Sequence, residues 1–240
     1  MPPFVNRNPS PSGLGGRISV SSTGARSTRA VKGKGKSVLM EAAASNSTRR
    51  MVWIALMGAA GALLMFLDFS LPVFPGFLKM DLSDLPPLIV SFAWGPAAGM
   101  LTELVKNLIH SLATSTAWVG ELANFITGSA LVIPAGMVYR RRRTKRGAME
   151  ALAAGTIFMT VTASLANYWI LLPFYSKIVP LEKFIAMSSA VVPAIKDTKT
   201  LVLYGVIPFN LFKGAVVSLA ALKLYKRISG FIVGAGRYAS

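Results

Sequence analysis

Four stretches of the chain are apolar almost without interruption, at about 51–72, 119–139, 149–175 and 201–225. Each reaches the roughly 20 residues that a helix needs to cross a ~30 Å hydrocarbon core. Between the first two lies "LPPLIVSFAWGPAAGMLTELVKNLIHSLA", apolar but broken. In its "WGP", Gly95 can end one helix and Pro96 suits the first turn of the next, so residues 84–117 read as two shorter helices. Residues 1–48 differ in kind: they are rich in Ser, Gly, Arg, Pro and Thr, a composition that predicts a disordered tail.

Charge then gives the pattern a direction. Basic residues cluster before the first apolar stretch, ending in Arg49 and Arg50, again in "RRRRTKR" (Arg140 to Arg146), and again at Lys223, Lys226, Arg227 and Arg237. Membrane proteins keep such clusters on the cytoplasmic side, so the net charge of +17 calls for no nucleic-acid partner. The first helix therefore runs from inside to outside, and the helix ending at "RRRRTKR" must begin outside. Residues 84–117 then cross an even number of times, and two crossings fit. The expectation is an all-α membrane protein, a six-transmembrane-helix bundle with both termini cytoplasmic. It divides into a basic tail (1–48), a membrane domain (49–228) and a short cytoplasmic C-terminal tail (229–240). The protein is expected to be a multi-pass protein of the cell membrane. "STRRMVWIALMGAAGALLMF" has the basic start of a signal peptide, but it runs on to Leu71 without a good cleavage site.

Several chemistries are excluded. The chain has no cysteine and a single histidine, His110, so disulfides, thiolate sites and multi-histidine metal centres are out. "GKGKS" resembles the end of a phosphate-binding loop, but Ala30 stands where the first glycine belongs and no apolar strand precedes it. No "GxSxG" occurs, and no nucleophile with a base is visible, so no enzyme is expected. An ion-coupled secondary transporter is an alternative, although no internal inverted repeat is found.

The polar residues within the apolar stretches are few: Glu103, Lys106, Asn107, His110, Glu121, Asn124, Asn167, Asn210 and Lys213. Ionisable groups at such depth face the bundle interior and are candidate site residues. Glu103 and Lys106, three apart, can neutralise each other as a structural pair, and His110 reads as a packing residue. Asn210 and Lys213 lie about 60° apart on one helix face. Together with Asn167 they converge on the outer half of the bundle, which suits a planar, hydrogen-bonding solute taken from outside. The loop "PVFPGFLKMDLSDLPP" mixes apolar residues with Lys79, Asp81 and Asp84, as a segment folding over a ligand would; Asp84 or Ser83 could equally be a helix N-cap. In the first helix, Ala55 with Ala59 and Gly58 with Ala62 form small-xxx-small pairs that permit close approach of another helix, internal or external.

Taken together, "FLKMDLSDLPPLIVSFAWGPAAGMLTELVKNLIH", "NYWILLPFY" and "PFNLFKG" resemble the riboflavin-binding S component of energy-coupling factor (ECF) vitamin importers, over about residues 51–228. The resemblance implies riboflavin as transported substrate with no resident cofactor. It also implies partners: a transmembrane coupling protein and two ATP-binding subunits. By motif, Asn167, Asn210 and Lys213 match positions that hold the flavin, with Glu121 and Asn124 as further candidates. Leu78, Lys79, Met80 and Asp81 match the segment that closes over it. Ala55 and Ala59 match the alanine motif that docks the coupling protein, with Gly58 and Ala62 beside them. An S component for another vitamin is the alternative within the family, and the basic tail departs from its usual short N-terminus.

Overall fold

The computed structural model describes residues 47–113, 118–177 and 180–237, so the tail expected over 1–48 lies almost wholly outside the described residues. Helix α1 spans Ser47–Met65. It ends well short of the expected 72, because the chain turns there into a small hairpin, β1 (Phe69–Ser70) against β2 (Lys79–Met80). Then follow α2 (Leu85–Trp94), α3 (Pro96–His110), a short 3-10 turn (Ser111–Ala113) and α4 (Val119–Arg141). Helix α5 (Lys145–Ala166) passes through a π-helical turn, Asn167–Leu171, into α6 (Leu172–Tyr175). Beyond it lie α7 (Leu181–Ser189), then α8 (Thr198–Leu201), a second π-helical turn (Val202–Val206) and α9 (Ile207–Arg237). Helix α9 thus carries on through most of the stretch expected as a C-terminal tail.

Four of these rods are long and apolar enough to span a bilayer among the described residues: Ser47–Met65, Val119–Arg141, Lys145–Tyr175 and Thr198–Tyr225. Their outer faces carry large apolar side chains such as Leu56, Leu63, Ile157, Phe158, Val161, Leu211 and Leu219, all exposed. A water-soluble fold hides such residues; lipid does not require it. Helices α2 and α3 are the two shorter helices expected over 84–117. At 10 and 15 residues they rise only about 15 and 22 Å. They break where "WGP" predicts: Gly95 takes φ 97°, a conformation open to glycine, and Pro96 opens α3.

Helix α2 is the central element. Eight of its ten residues are buried, and it packs against α3, α4 and α9. With little hydrophobic drive between helices in lipid, close approach does the work. A Cβ at Gly155 of α5 would stand 2.6 Å from the Leu131 carbonyl of α4, and one at Gly99 of α3 would stand 2.5 Å from the Ser91 Cβ of α2. Polar ties fix the register: Ser91 Oγ donates to the Val132 carbonyl (2.7 Å), and Tyr139 stacks on Phe92 while sharing a hydrogen bond with Tyr225 (3.0 Å). At the basic turn, the Thr144 hydroxyl accepts from Gly147 N (3.1 Å) and starts α5 directly after "RRRR".

Candidate functional site

The hairpin sets the site's geometry. Successive residues of a strand face opposite sides, so Leu78 and Met80 turn inward and are buried while Lys79 turns out. Lys79 pairs with Asp68 (3.0 Å) at the surface and so does not join the interior residues expected to close over a ligand. Past the hairpin, Asp81, Ser83 and Asp84 are all buried.

Asp84 occupies the N-cap position of α2 but makes no capping bond with its side chain. The reason is in the sequence. The second and third residues of α2 are Pro86 and Pro87, which lack the N–H groups that a cap would accept. The carboxylate turns to two lysines instead: Lys106 Nζ lies 2.7 Å from Oδ1 and Lys213 Nζ 3.4 Å from Oδ2. Burial opposes the charge on Asp84, and these two ammonium groups outweigh it, holding its carboxyl well below the usual carboxylate range.

Around Asp84 the network closes. Lys106 Nζ also meets Glu103 Oε2 (2.7 Å), the expected local pair, and donates to Ser83 Oγ (3.2 Å). Lys213 Nζ donates to Asp81 Oδ2 (2.9 Å), and Asp81 Oδ1 accepts from Ser83 N (2.8 Å). The loop, α3 and α9 are thereby joined through three carboxylates and two ammonium groups. Asn107 Nδ2 bonds the Glu103 carbonyl (2.9 Å), while Glu103 Oε1, Asn107 Oδ1 and Ser129 Oγ are buried without a partner among the described residues. Lys213 was expected to reach outward for a ligand; here it reaches first for the loop.

The two asparagines are placed by π-helical turns. Pro173 and Pro208 each stand two residues beyond such a turn. A proline interrupts the regular hydrogen-bond ladder, and the widened turn absorbs the mismatch. The two turns touch one another. Asn167 Nδ2 donates to the Ala163 carbonyl and Asn210 Nδ2 to the Val206 carbonyl, both at 2.8 Å. Each amide is almost fully buried and keeps its oxygen and one N–H uncommitted toward the described residues.

Other expected residues have partners of their own. Glu121 is 3.0 Å from His110 Nδ1, and the His110 ring packs on Phe66 (4.6 Å), which bears out His110 as a packing residue. Asn124 Nδ2 points to Met65 Sδ (3.4 Å). On α1 the small residues split between two faces. Ala62 is fully buried, and a Cβ at Gly58 would strike Val105 of α3 at 2.5 Å, so these two serve internal packing. Ala55 is exposed and Ala59 partly so. Sequence reasoning missed Ser83 and Asp84 as members of the network; the paired prolines after Asp84 were the available signal.

Comparison with known proteins identifies the family. Residues 49–225 match the family model "ECF transporter, substrate-specific component". The chain is 34% identical over 184 residues to the riboflavin transporter RibU of Staphylococcus aureus (strain TCH60), covering 77% of this chain and 92% of that one. It is 29% identical over 189 residues to the riboflavin transporter FmnP of Bacillus subtilis (strain 168), covering 77% and 94%. Among solved structures it superposes, at 32% identity and a TM-score of 0.62, on one described as "Structure and mechanism of the S component of a bacterial ECF transporter", covering 78% of this chain and 98% of that chain.

Proposed function

The chain belongs to the substrate-specific (S) components of ECF transporters, and from that premise we propose that it is the riboflavin-binding subunit of an ATP-driven vitamin importer. It captures riboflavin on the outer side of the cytoplasmic membrane. It delivers the vitamin together with a transmembrane coupling protein and two ATP-binding subunits. The basic clusters support an orientation with both termini inside.

The observation that carries the reading is the placement of Asn210 and Lys213 on one face of α9, directly beneath the loop that holds Asp81. Flavin rings present carbonyls and an N–H along one edge. The free oxygen and N–H of Asn167 and Asn210 match such an edge, and the Lys213 ammonium has a hydrogen left over for a carbonyl. Leu78 and Met80 supply apolar cover from the loop, and Ala55 and Ala59 form the docking face for the coupling protein.

The test is purification of the full chain and a visible spectrum, followed by riboflavin titration. A co-purified yellow chromophore and saturable tight binding are expected, and no binding at any accessible concentration would refute the reading. In the same preparation, Ala55→Leu/Ala59→Leu should bind riboflavin normally yet fail to co-purify with coupling subunits.

A further inference from the structure

Resting on that reading, we propose that Asp81 is a positioning residue: it acts on the ligand through Lys213 and does not grip the ligand itself. Both oxygens of Asp81 are already occupied within the protein. Oδ1 accepts from Ser83 N at 2.8 Å, which folds the loop back on itself, and Oδ2 accepts from Lys213 at 2.9 Å. The Asp81 side chain is 7% exposed, so it offers little surface to a bound molecule.

The ammonium it holds is the group with capacity to spare. Lys213 Nζ has three hydrogens; Asp81 takes one and Asp84, at 3.4 Å, lies in line for a second. One remains. A lysine side chain has several freely rotating bonds, and fixing it costs conformational entropy on every binding event. Two carboxylates from the loop fix it beforehand, so the ligand meets a single ammonium orientation. The same pairing neutralises the lysine, so its remaining hydrogen suits a neutral carbonyl better than an anion. The pair also spans 132 positions of chain, from the loop to α9. Placing the loop and aiming the lysine are therefore one event.

A double-mutant cycle separates this role from direct contact. Riboflavin is titrated into detergent-purified full-length wild type, Asp81→Asn, Lys213→Met and the double variant, with flavin fluorescence as readout. Asp81→Asn should weaken binding about tenfold, the loss expected when one charged hydrogen bond is weakened. In the Lys213→Met background the same change should have almost no further effect. Asp81→Glu keeps the carboxylate and should restore most of the affinity; if Asp81→Asn does not fold, Asp81→Ser, which also removes the carboxylate, takes its place in the cycle with the same expected losses. Fully multiplicative losses in the double variant would overturn the proposal, because Asp81 would then act on the ligand independently of Lys213. Unchanged affinity in Asp81→Asn would overturn it too. Wild-type affinity in Lys213→Met would instead sink the ligand role of Lys213 itself, which is a failure of the functional reading above.

Discussion

Lys106 and Lys213 are the same residue type, buried in the same network and sharing the same Asp84, yet they have different jobs. Lys106 is fully enclosed, and its three hydrogens find Asp84, Glu103 and Ser83. Lys213 keeps 11% of its side chain exposed and, among the described residues, pairs with Asp81 and Asp84. A saturated buried cation is an anchor, since its removal leaves charges stranded and it has nothing to offer a ligand. An unsaturated one beside a loop is a site. Saturation, more than depth or charge, separates the two.

The sharpest break of this comparison is Lys106→Met. It leaves Asp84 and Glu103 buried without their main counter-charge, and removal of one partner of a buried ion pair costs on the order of 3–5 kcal/mol. Thermal unfolding in detergent should show a large loss of stability or no folded protein; a melting temperature near wild type would mean the network is dispensable. Lys213→Met should cost less stability, about 1–3 kcal/mol, because Asp84 keeps Lys106 and Asp81 keeps its bond from Ser83. Its main effect should be on riboflavin, with affinity down roughly ten- to a hundredfold. Depth alone argues the opposite, that losing a buried lysine relieves the helix. A Lys213→Met variant more stable than wild type would restore that simpler view.

Asn210→Ala probes a residue whose side chain, among the described residues, bonds the Val206 carbonyl one turn back. Stability should change by less than about 1 kcal/mol while riboflavin affinity falls about tenfold, measured by titration and melting on one sample. The reverse pattern would make Asn210 an interhelical brace. Smallest is Lys79→Ala, the exposed counterpart of the two buried lysines. Its pair with Asp68 is at the surface, so stability and affinity should both move by less than about 0.5 kcal/mol. A larger loss of affinity would put Lys79 back among the closing residues.

Much of the fold was legible because each signal was local. Apolar runs marked four long rods, Gly95 and Pro96 marked the break between α2 and α3, and the i,i+3 spacing marked Glu103 with Lys106. The end of α1 was not legible, since "FLDFSLP" is apolar enough to continue a helix and only pairing with Lys79–Met80 ends it. The split of α1 into an inner face (Gly58, Ala62) and an outer one (Ala55) was likewise hidden, because small-xxx-small spacing does not say which helix approaches.

The sequence by itself determined that this is a helical membrane protein, that polar residues of its apolar stretches such as Glu103, Lys106, Asn167, Asn210 and Lys213 lie inside it, and which family its motifs resemble. Hydrophobic length and charge clusters act through the solvent, and they need no knowledge of neighbours. Tertiary structure alone decided who meets whom: Asp84 with both lysines, Asp81 with Lys213 across 132 residues, and Glu121 with His110. A buried charge takes whichever partner the packing of other helices brings within about 3 Å, and that is a property of the fold as a whole.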